Sequence, residues 1–454
     1  MRRILVVSPH FPPTSAADMH RVRQSLQYFP EFGWQPSVLA VEPEFVEGRA
    51  EPLLLETVPA GIDVTRVRAL PTKLTRKIGL GDIALRSFPF LYRAGARIIR
   101  DSKIDLVYFS TTAFPAVALG RIWKEKFGVP FVVDMQDPWL SDYYKDKPAN
   151  ARPPKYWFSQ RLHGILEPWT MERVDGLVSV SPDYLTTLRQ RYPWLADRPQ
   201  AVLPFGASSS DFEVVRNNPQ PNRFFKKGTG SINGVYVGRG GKDMEFALQV
   251  MFRAFRLGLK AQPDIFGKIK LHFVGTDYAM GRDARKTVAP VAEVLGLSGH
   301  VEETPERVPY FEALQLLRDA DFLIVPGSDD PQYTASKIYP YILACKPLLA
   351  AFNQRSSVCQ VLRETRAGAL LPFEVSILPA HYAPPFMELW SEMLRRLPFV
   401  PDVNWAAFAP YTAYEMTRAQ SELFNRVISE ASTNSAVSAR KLLTPVRSEK
   451  TCSN

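Results

Sequence analysis

The chain has 454 residues, 46% hydrophobic and 22% charged, which is the profile of a globular protein long enough for two ordinary domains that each bury a core. A formal net charge of +10 favours polyanionic company such as nucleotide phosphates or an acidic membrane surface, and nucleic acid ranks last because neither a nucleic-acid motif nor a repeat is present. No apolar run approaches the roughly 20 residues that span a bilayer, and Cys345, Cys359 and Cys452 are too few and too scattered for a disulfide framework or a zinc site, which points to a reducing cytoplasm.

The opening MRRILVVSPHFPP is apolar only over residues 4–7 and reads as a first strand, residues 3–7, rather than a signal peptide. After the loop SPHFPPTSAAD, Asp18 is placed to cap a helix carrying Val22, Leu26 and Phe29, and residues 37–41 form the next strand. KIDLVYF at 103–109, the helix at 113–126 and the strand at 131–134 repeat this pattern. A longer helix is expected over 152–172, then a strand at 176–180 and a helix from Pro182. Strands separated by single helices imply parallel order in a doubly wound sheet.

PFGASSSDF and RNNPQPNR, near 204–223, interrupt the periodicity and mark a domain boundary. The alternation restarts with GVYV at 234–237, the loop GRGGKD, and a helix over 244–259 with Phe246, Val250, Phe252 and Phe255 on its apolar side. It continues with a strand at 270–274, a helix at 284–295, Val301, a helix at 310–317 and a buried strand at 322–325. In the stretch DFLIVPGSDDPQYTASKIYPYILACKPLLAA, Thr334 or Ser336 can cap a helix over 337–344 before the strand at 348–352. Such a helix start presents free N–H groups to the crevice beyond the preceding strand, and Lys337 adds a positive charge, so the unit reads as a phosphate site. Helices are expected at 385–396 and 411–428, the latter offering Tyr414, Met416, Leu423 and Val427 for packing, and 432–454 reads as a polar, disordered tail.

Over about residues 1–430 the chain resembles the retaining glycosyltransferases of family four. The likeness rests on the FPP loop, VVDMQDPW, SVSPDYL, VGRGGKD, HFVGT and SKIYPYILACKPLLA, taken in their order and spacing. It implies the α/β GT-B fold: two Rossmann-like doubly wound parallel-sheet domains, 1–205 for the acceptor and 206–410 for the nucleotide sugar, facing a central cleft. A C-terminal helix, 411–431, would cross back to the first domain, with the tail at 432–454 beyond it. In the family an Arg and a Lys after the first strand of the second domain hold the donor diphosphate. Arg239 matches the Arg, and Lys242 stands for the Lys although the spacing in GRGGK is short. The resemblance adds Gly238, Thr276, Gln332, Thr334, Ser336 and Lys337 to the donor site and places the nucleobase near the loop 303–309.

The chain also departs from the family. Aligned on SKIYPYILACKP, the usual Glu-x7-Glu pair falls on Gln332 and Pro340, and a His expected on a strand-end loop is replaced by Ser110, Thr111 and Thr112. Either this branch binds ribose and sugar differently, or it has lost transfer. Pro340, lacking an N–H, is either a tolerated first-turn proline or the cause of freed polar groups lining the site.

Transfer from a nucleotide sugar places negative charge on the leaving diphosphate, which a catalyst must stabilise. Charge-assisted hydrogen bonds contribute about 1.5–3 kcal/mol each, and a helix start adds about 0.3–1 kcal/mol, so Arg239, Lys337 and a few amides suffice without a metal. Asp137 after the strand at 131–134, the fourth expected in the first domain, with Trp139 beside it to stack on a sugar, is placed to hydrogen-bond or deprotonate an acceptor hydroxyl, or else is a turn former before Pro138. His20 and Arg21 either meet a phosphate or form a surface pair. Asp319-Ala-Asp321 and Asp329-Asp330 are weak candidates for a divalent metal. RSFPFLYRAGARIIR at 86–100, with KLTRK at 73–77, suits either a peripheral contact with anionic lipid or a core-facing amphipathic helix. The expectation is a metal-independent, hexosyltransferase-type enzyme with no cofactor, cytoplasmic and peripheral on the inner membrane face, acting in surface polysaccharide or glycolipid assembly. Its partners are a nucleotide-sugar donor and a glycan or lipid-linked acceptor. A catalytically silent GT-B protein that binds nucleotide or protein, and a GT-B UDP-sugar epimerase, are the alternatives.

Overall fold

The computed structural model describes residues 1–75, 77, 79–141, 152, 156–277, 284–330 and 338–443, the last ten as backbone only. They fall into two compact units, Met1–Phe205 with the segment from Ala413 onward, and Gly206–Thr412.

The first unit is built on seven strands, β1 (Arg2–Val7), β2 (Trp34–Val41), β3 (Asp63–Val67), β4 (Leu106–Ser110), β5 (Phe131–Met135), β6 (Gly176–Ser179) and β7 (Gln200–Val202), ordered β3-β2-β1-β4-β5-β6-β7. Every pairing is parallel. Strand side chains alternate between faces, so Leu5, Val7, Val107, Phe109, Phe131 and Val133 join one core while Ile4, Val6, Leu106, Tyr108 and Val132 join another. Burial on both faces explains why these strands are unbroken apolar runs. The helices α1 (Met19–Leu26) and α2 (Ile83–Ser102) lie among the cover elements. The C-terminal helix, Ala413–Leu443, packs Met416, Leu423, Phe424 and Val427 into the second core and is thereby part of this unit. It runs through the segment read as the start of a disordered tail, because nothing in 432–443 breaks a helix; residues 444–454 lie outside the described residues.

Helix α2 opens on Asp82, whose carboxylate accepts from the amides of Ala84 at 2.8 Å and Leu85 at 3.3 Å. Its Arg86 is buried, donating to the carbonyls of Leu70 and Phe45, and Phe88, Phe90, Tyr92 and Ile98 pack on the core. The apolar face of 86–100 is therefore core-facing, and Arg93, Arg97 and Arg100 are exposed. No helix among the described residues is long and apolar enough to cross a membrane.

The second unit repeats the plan with β8 (Ile232–Val237), β9 (Ile269–Val274), β10 (Val301–Thr304), β11 (Phe322–Pro326), β12 (Leu348–Asn353) and β13 (Ala369–Phe373), ordered β10-β9-β8-β11-β12-β13 and parallel throughout. Helix α3 (Glu245–Ala261) buries Val250, Phe252 and Phe255 as its periodicity predicts, whereas Phe246 is half-buried against Phe373 and Tyr382. The helix expected at 284–295 is only Ala289–Val294. That at 337–344 is described as α4 (Ile338–Leu343), with Pro340 in it. Helix α5 (Pro379–Arg396) begins six residues before the expected start and contains Pro384 and Pro385; Pro379 supplies the first-turn proline instead, and Phe386 and Trp390 anchor the helix in the core.

Candidate functional site

In both sheets the strand order reverses beside the first strand, between β1 and β4 and between β8 and β11. Loops leaving such a pair of strands diverge and open a crevice at the carboxyl ends.

In the first unit the β1 loop brings His10 and Asp18 to this point, and the β4 loop brings Thr111 and Thr112. Asp18 stands at the start of α1, but its backbone is already helical and its carboxylate caps no helix amide, contrary to expectation. One carboxylate oxygen instead accepts from His10 Nδ1 at 2.8 Å, Thr111 Oγ1 at 3.0 Å, the Thr112 amide at 3.0 Å and Thr112 Oγ1 at 3.2 Å. Asp18 is 2% exposed. Burial alone disfavours both charges, yet the ion pair prevails: it holds the Asp18 carboxyl below the usual carboxylate range and the His10 imidazole above that of a free histidine. Sequence reasoning passed over His10, although its place directly after the first strand was a usable signal.

Behind this pair lies a second buried carboxylate, Asp134 of β5. It faces Arg21 Nε at 2.8 Å and accepts from Ser110 Oγ at 2.9 Å, Gln136 Nε2 at 2.8 Å and Tyr108 OH at 3.2 Å. Arg21 and Asp134 are both fully buried, and Arg21 also donates to the Leu203 carbonyl. The reading of Arg21 as a phosphate ligand or a surface residue is thus corrected: it neutralises a core carboxylate. His20 accepts from Arg23 Nε at 3.1 Å. Tyr108 OH in turn accepts from Gln420 of the C-terminal helix, whose amide oxygen accepts from Ser25, so one polar network ties that helix to the sheet. Asp137 is exposed at the same sheet edge; desolvation, and then the Asp18 charge, raise its carboxyl above the usual range. Trp139 is not free to stack on a sugar. It is 4% exposed and stacks on Phe114 with centroids 5.5 Å apart and rings 10° from parallel.

In the second unit Gly238 to Gly241 leave β8 as a tight loop. The Gly238 amide donates to Val274 at 2.9 Å and the Gly240 amide to Thr276 at 2.7 Å. A Cβ on Gly240 would stand 2.3 Å from Thr287 Oγ1 and 3.3 Å from the Thr276 carbonyl, so that position is crowded, whereas one on Gly241 would meet only the movable ends of Asp243 at 2.4 Å and Arg239 at 2.8 Å. The space left open by Gly241 holds a fork: Arg239 NH1 to Asp243 Oδ1 at 2.9 Å and NH2 to Oδ2 at 2.6 Å. Burial works to raise Asp243, but Arg239 and then Ser328 hold it below the usual carboxylate range. Arg239 thus sits at the switch point of its own unit engaged by an internal anion. The Asp329 amide donates to the Asp243 carbonyl at 2.7 Å and Asn353 Nδ2 to the Asp329 carbonyl at 2.9 Å, fastening the β11 loop to the β8 loop. Lys242 is exposed, with no ion pair among the described residues.

Thr276 is buried and donates its hydroxyl to Glu303 at 2.5 Å. Glu303 also accepts from the amides of Thr287, Val288 and Ala289 at 2.9, 3.0 and 2.7 Å, which shortens the following helix to Ala289–Val294 by satisfying its start. Tyr341 of α4 brackets the end of β8, its hydroxyl donating to the Val237 carbonyl at 3.0 Å and accepting from the Val237 amide at 2.7 Å. Gln332, Thr334, Ser336 and Lys337 lie outside the described residues. Asp319 pairs with Lys227 at 2.6 Å and Asp321 accepts from the Asn233 amide at 2.7 Å, so both carboxylates of the Asp-x-Asp stretch are spent on protein donors where the chain enters β11.

Residues 20–206 match the family model of a glycosyl transferase 4-like domain. No curated protein matches the chain in sequence. Among solved structures, HepE of Anabaena in complex with UDP and glucose superposes with a TM-score of 0.55 at 15% identity, covering 94% of this chain and 100% of that one. A glycosyltransferase from Rickettsia africae gives 0.52 at 13% identity over 94% and 98% of the two chains. The Escherichia coli trehalose-6-phosphate structure bound with UDP-2-fluoro glucose gives 0.54 at 10% over 93% and 98%. At these identities the likeness is one of fold, and it shows the GT-B architecture. The family model, over residues 20–206, bears out the resemblance to family four that the motifs suggested for the first unit.

Proposed function

We propose that the protein is a retaining, metal-independent glycosyltransferase of the hexosyltransferase type. It moves a sugar from a nucleoside-diphosphate donor to a glycan, lipid-linked or small-molecule acceptor in cell-surface polysaccharide or glycolipid assembly. The observation that carries this reading is the tandem of two doubly wound sheets, the first matched by a glycosyl transferase 4-like domain and the second presenting Arg239 at its switch point.

On this reading the second unit holds the donor diphosphate and the first unit the acceptor. Arg239 exchanges Asp243 for the diphosphate and stabilises the charge that develops as the sugar–phosphate bond breaks. Gly238 and Gly240 keep the backbone close to that anion, and Lys242 adds an exposed charge. Lys337 and the polar groups of Gln332, Thr334 and Ser336 complete the donor site in the reading drawn from sequence. Asp137, exposed at the carboxyl end of β5, hydrogen-bonds the acceptor. The exposed arginines of α2 support a peripheral position on an anionic inner membrane face.

A second reading has its own observation. Arg239 already has a full carboxylate partner, and neither Gln332 nor Pro340 supplies a carboxylate, as a catalytically silent nucleotide-binding protein would allow. Calorimetry with UDP, GDP and their sugars on wild type and Arg239→Ala, followed by transfer and hydrolysis assays, separates the two. Binding that Arg239→Ala weakens about tenfold or more, the worth of one charge-assisted contact, together with turnover, supports the enzyme. Binding without turnover supports the silent protein, and no nucleotide binding overturns both.

A further inference from the structure

We propose that the first unit carries a non-catalytic ligand site at the amino-terminal end of its sheet, the end away from the crevice, taking a neutral, hydroxyl-rich oligosaccharide. A cavity of about 480 Å³ lies there, lined from the starts of β1, β2 and β3 and from the ends of α1 and α2. That volume is in the range of small-molecule sites. Strand β2 is eight residues long, so at about 3.3 Å per residue the cavity stands roughly 25 Å from the carboxyl end of the same strand.

The cavity follows from a change of character along one face of the sheet. Leu5, Val7, Leu39, Val41 and Val67 point into one core, and side chains two residues apart on a strand share a face, so Arg3, Gln35, Ser37 and Asp63 lie on that same face at the strand starts. Polar groups thus stand where the core would otherwise continue. Arg3 ties the sheet to the end of α2, its NH1 donating to the Ser102 carbonyl at 2.6 Å. The side chains of Gln35, Ser37 and Asp63 have no hydrogen-bond partner among the described residues. The Gly61 carbonyl joins them. The Glu42 amide bonds the Val67 carbonyl at 2.9 Å, and two-residue steps down this parallel ladder bring Pro36, with no N–H to give, opposite Gly61.

The lining selects the class of ligand. Pro30, Pro36 and Pro59 supply apolar wall with backbone torsions fixed in advance, so little freedom is lost when a ligand enters. The C–H faces of a pyranose suit that wall, and its hydroxyls both donate and accept, as the Gln35 amide and the Ser37 hydroxyl do. No aromatic ring is among the described lining residues, so a nucleobase has nothing to stack on. An anion would meet the Asp63 carboxylate, with Arg3 already engaged by a carbonyl, and a cation would meet Arg3. A neutral polyol avoids both conflicts. Holding one stretch of a glycan here raises its local concentration on the protein, whatever the crevice does with it, so the site stands independently of the transferase reading.

The test titrates the full chain by calorimetry with hexasaccharides of glucose, mannose, galactose and N-acetylglucosamine, with oligogalacturonate as the anionic probe and a Gly-Ser peptide as the neutral non-sugar. Wild type is expected to bind at least one of the neutral hexasaccharides. Asp63→Ala should weaken that binding about tenfold or more, the worth of a hydrogen bond to a charged group, while unfolding thermally and binding UDP as wild type does. Gln35→Ala, at a second exposed position, should weaken it about threefold, and Arg239→Ala should leave it unchanged. The proposal is overturned if no neutral hexasaccharide binds, or if oligogalacturonate or the peptide binds more tightly. Binding lost in Arg239→Ala yet kept in Asp63→Ala and Gln35→Ala also overturns it, since the glycan then sits at the Arg239 switch point. UDP binding and turnover are read separately, so a chain that binds glycan in this way but no UDP keeps the site and loses the transferase reading.

Discussion

Replacing Asp243 by Asn is expected to tighten nucleoside diphosphate binding. The two bonds of the Arg239–Asp243 fork, at 2.9 and 2.6 Å, occupy the guanidinium edge best shaped for phosphate, so a diphosphate must displace an anion before it binds. Two charge-assisted bonds would be worth about 3–6 kcal/mol if dry. Solvent reaches both partners, however, at 22% and 30% exposure, and exposed ion pairs are worth only about 0.2–1 kcal/mol. The upper end of that range, about 1 kcal/mol, corresponds to roughly fivefold in affinity. Asn keeps an oxygen to hold the arginine in place and removes only the charge. Calorimetry at neutral pH and low salt should show UDP binding about fivefold tighter for Asp243→Asn, and the gain should shrink as added salt screens the wild-type pair. If Asp243→Asn weakens binding as much as Arg239→Ala does, Asp243 orients the arginine for its ligand and the competition argument is wrong.

Two further expectations concern stability. Arg21→Met leaves the Asp134 carboxylate buried without its cation, which should cost about 3–5 kcal/mol in denaturant unfolding; a small loss accompanied by a tenfold drop in UDP affinity would restore Arg21 as a ligand contact. For the His10–Asp18 pair, the raised His10 contributes fully below about pH 6.5 and loses its contribution as pH rises through its folded value, while the lowered Asp18 contributes fully above about pH 3.9 and loses it as pH falls through its folded value. The pair therefore stabilises most between those limits. Thermal unfolding of His10→Gln across pH should lack the wild type's decline on the alkaline side, and superimposable profiles would refute the assignment.

Strands could be read from the sequence because each is buried on both faces and so appears as an apolar run, as at Ile4 to Val7 and Phe322 to Val325. Helix limits were harder. Glu303 closes the start of Ala289–Val294 from β10, and Pro379 opens α5 ahead of Pro385, where the helix was expected to begin. At the candidate sites, Arg239 was named by the resemblance and Asp137 by its place after a strand. Asp243 was visible only as the end of GRGGKD, and His10 as part of a loop.

By itself the sequence determined two rounds of strand and helix, their parallel order and the strand ends that gather polar residues, because periodicity and chain direction are local properties. Only tertiary structure decided what those residues do. Arg21 reaches Asp134, Asp18 reaches the loop after β4, and Trp139 lies flat on Phe114. Each of these matches depends on which strands become neighbours, and the interior admits a charge or an indole only where a partner from a distant segment meets it.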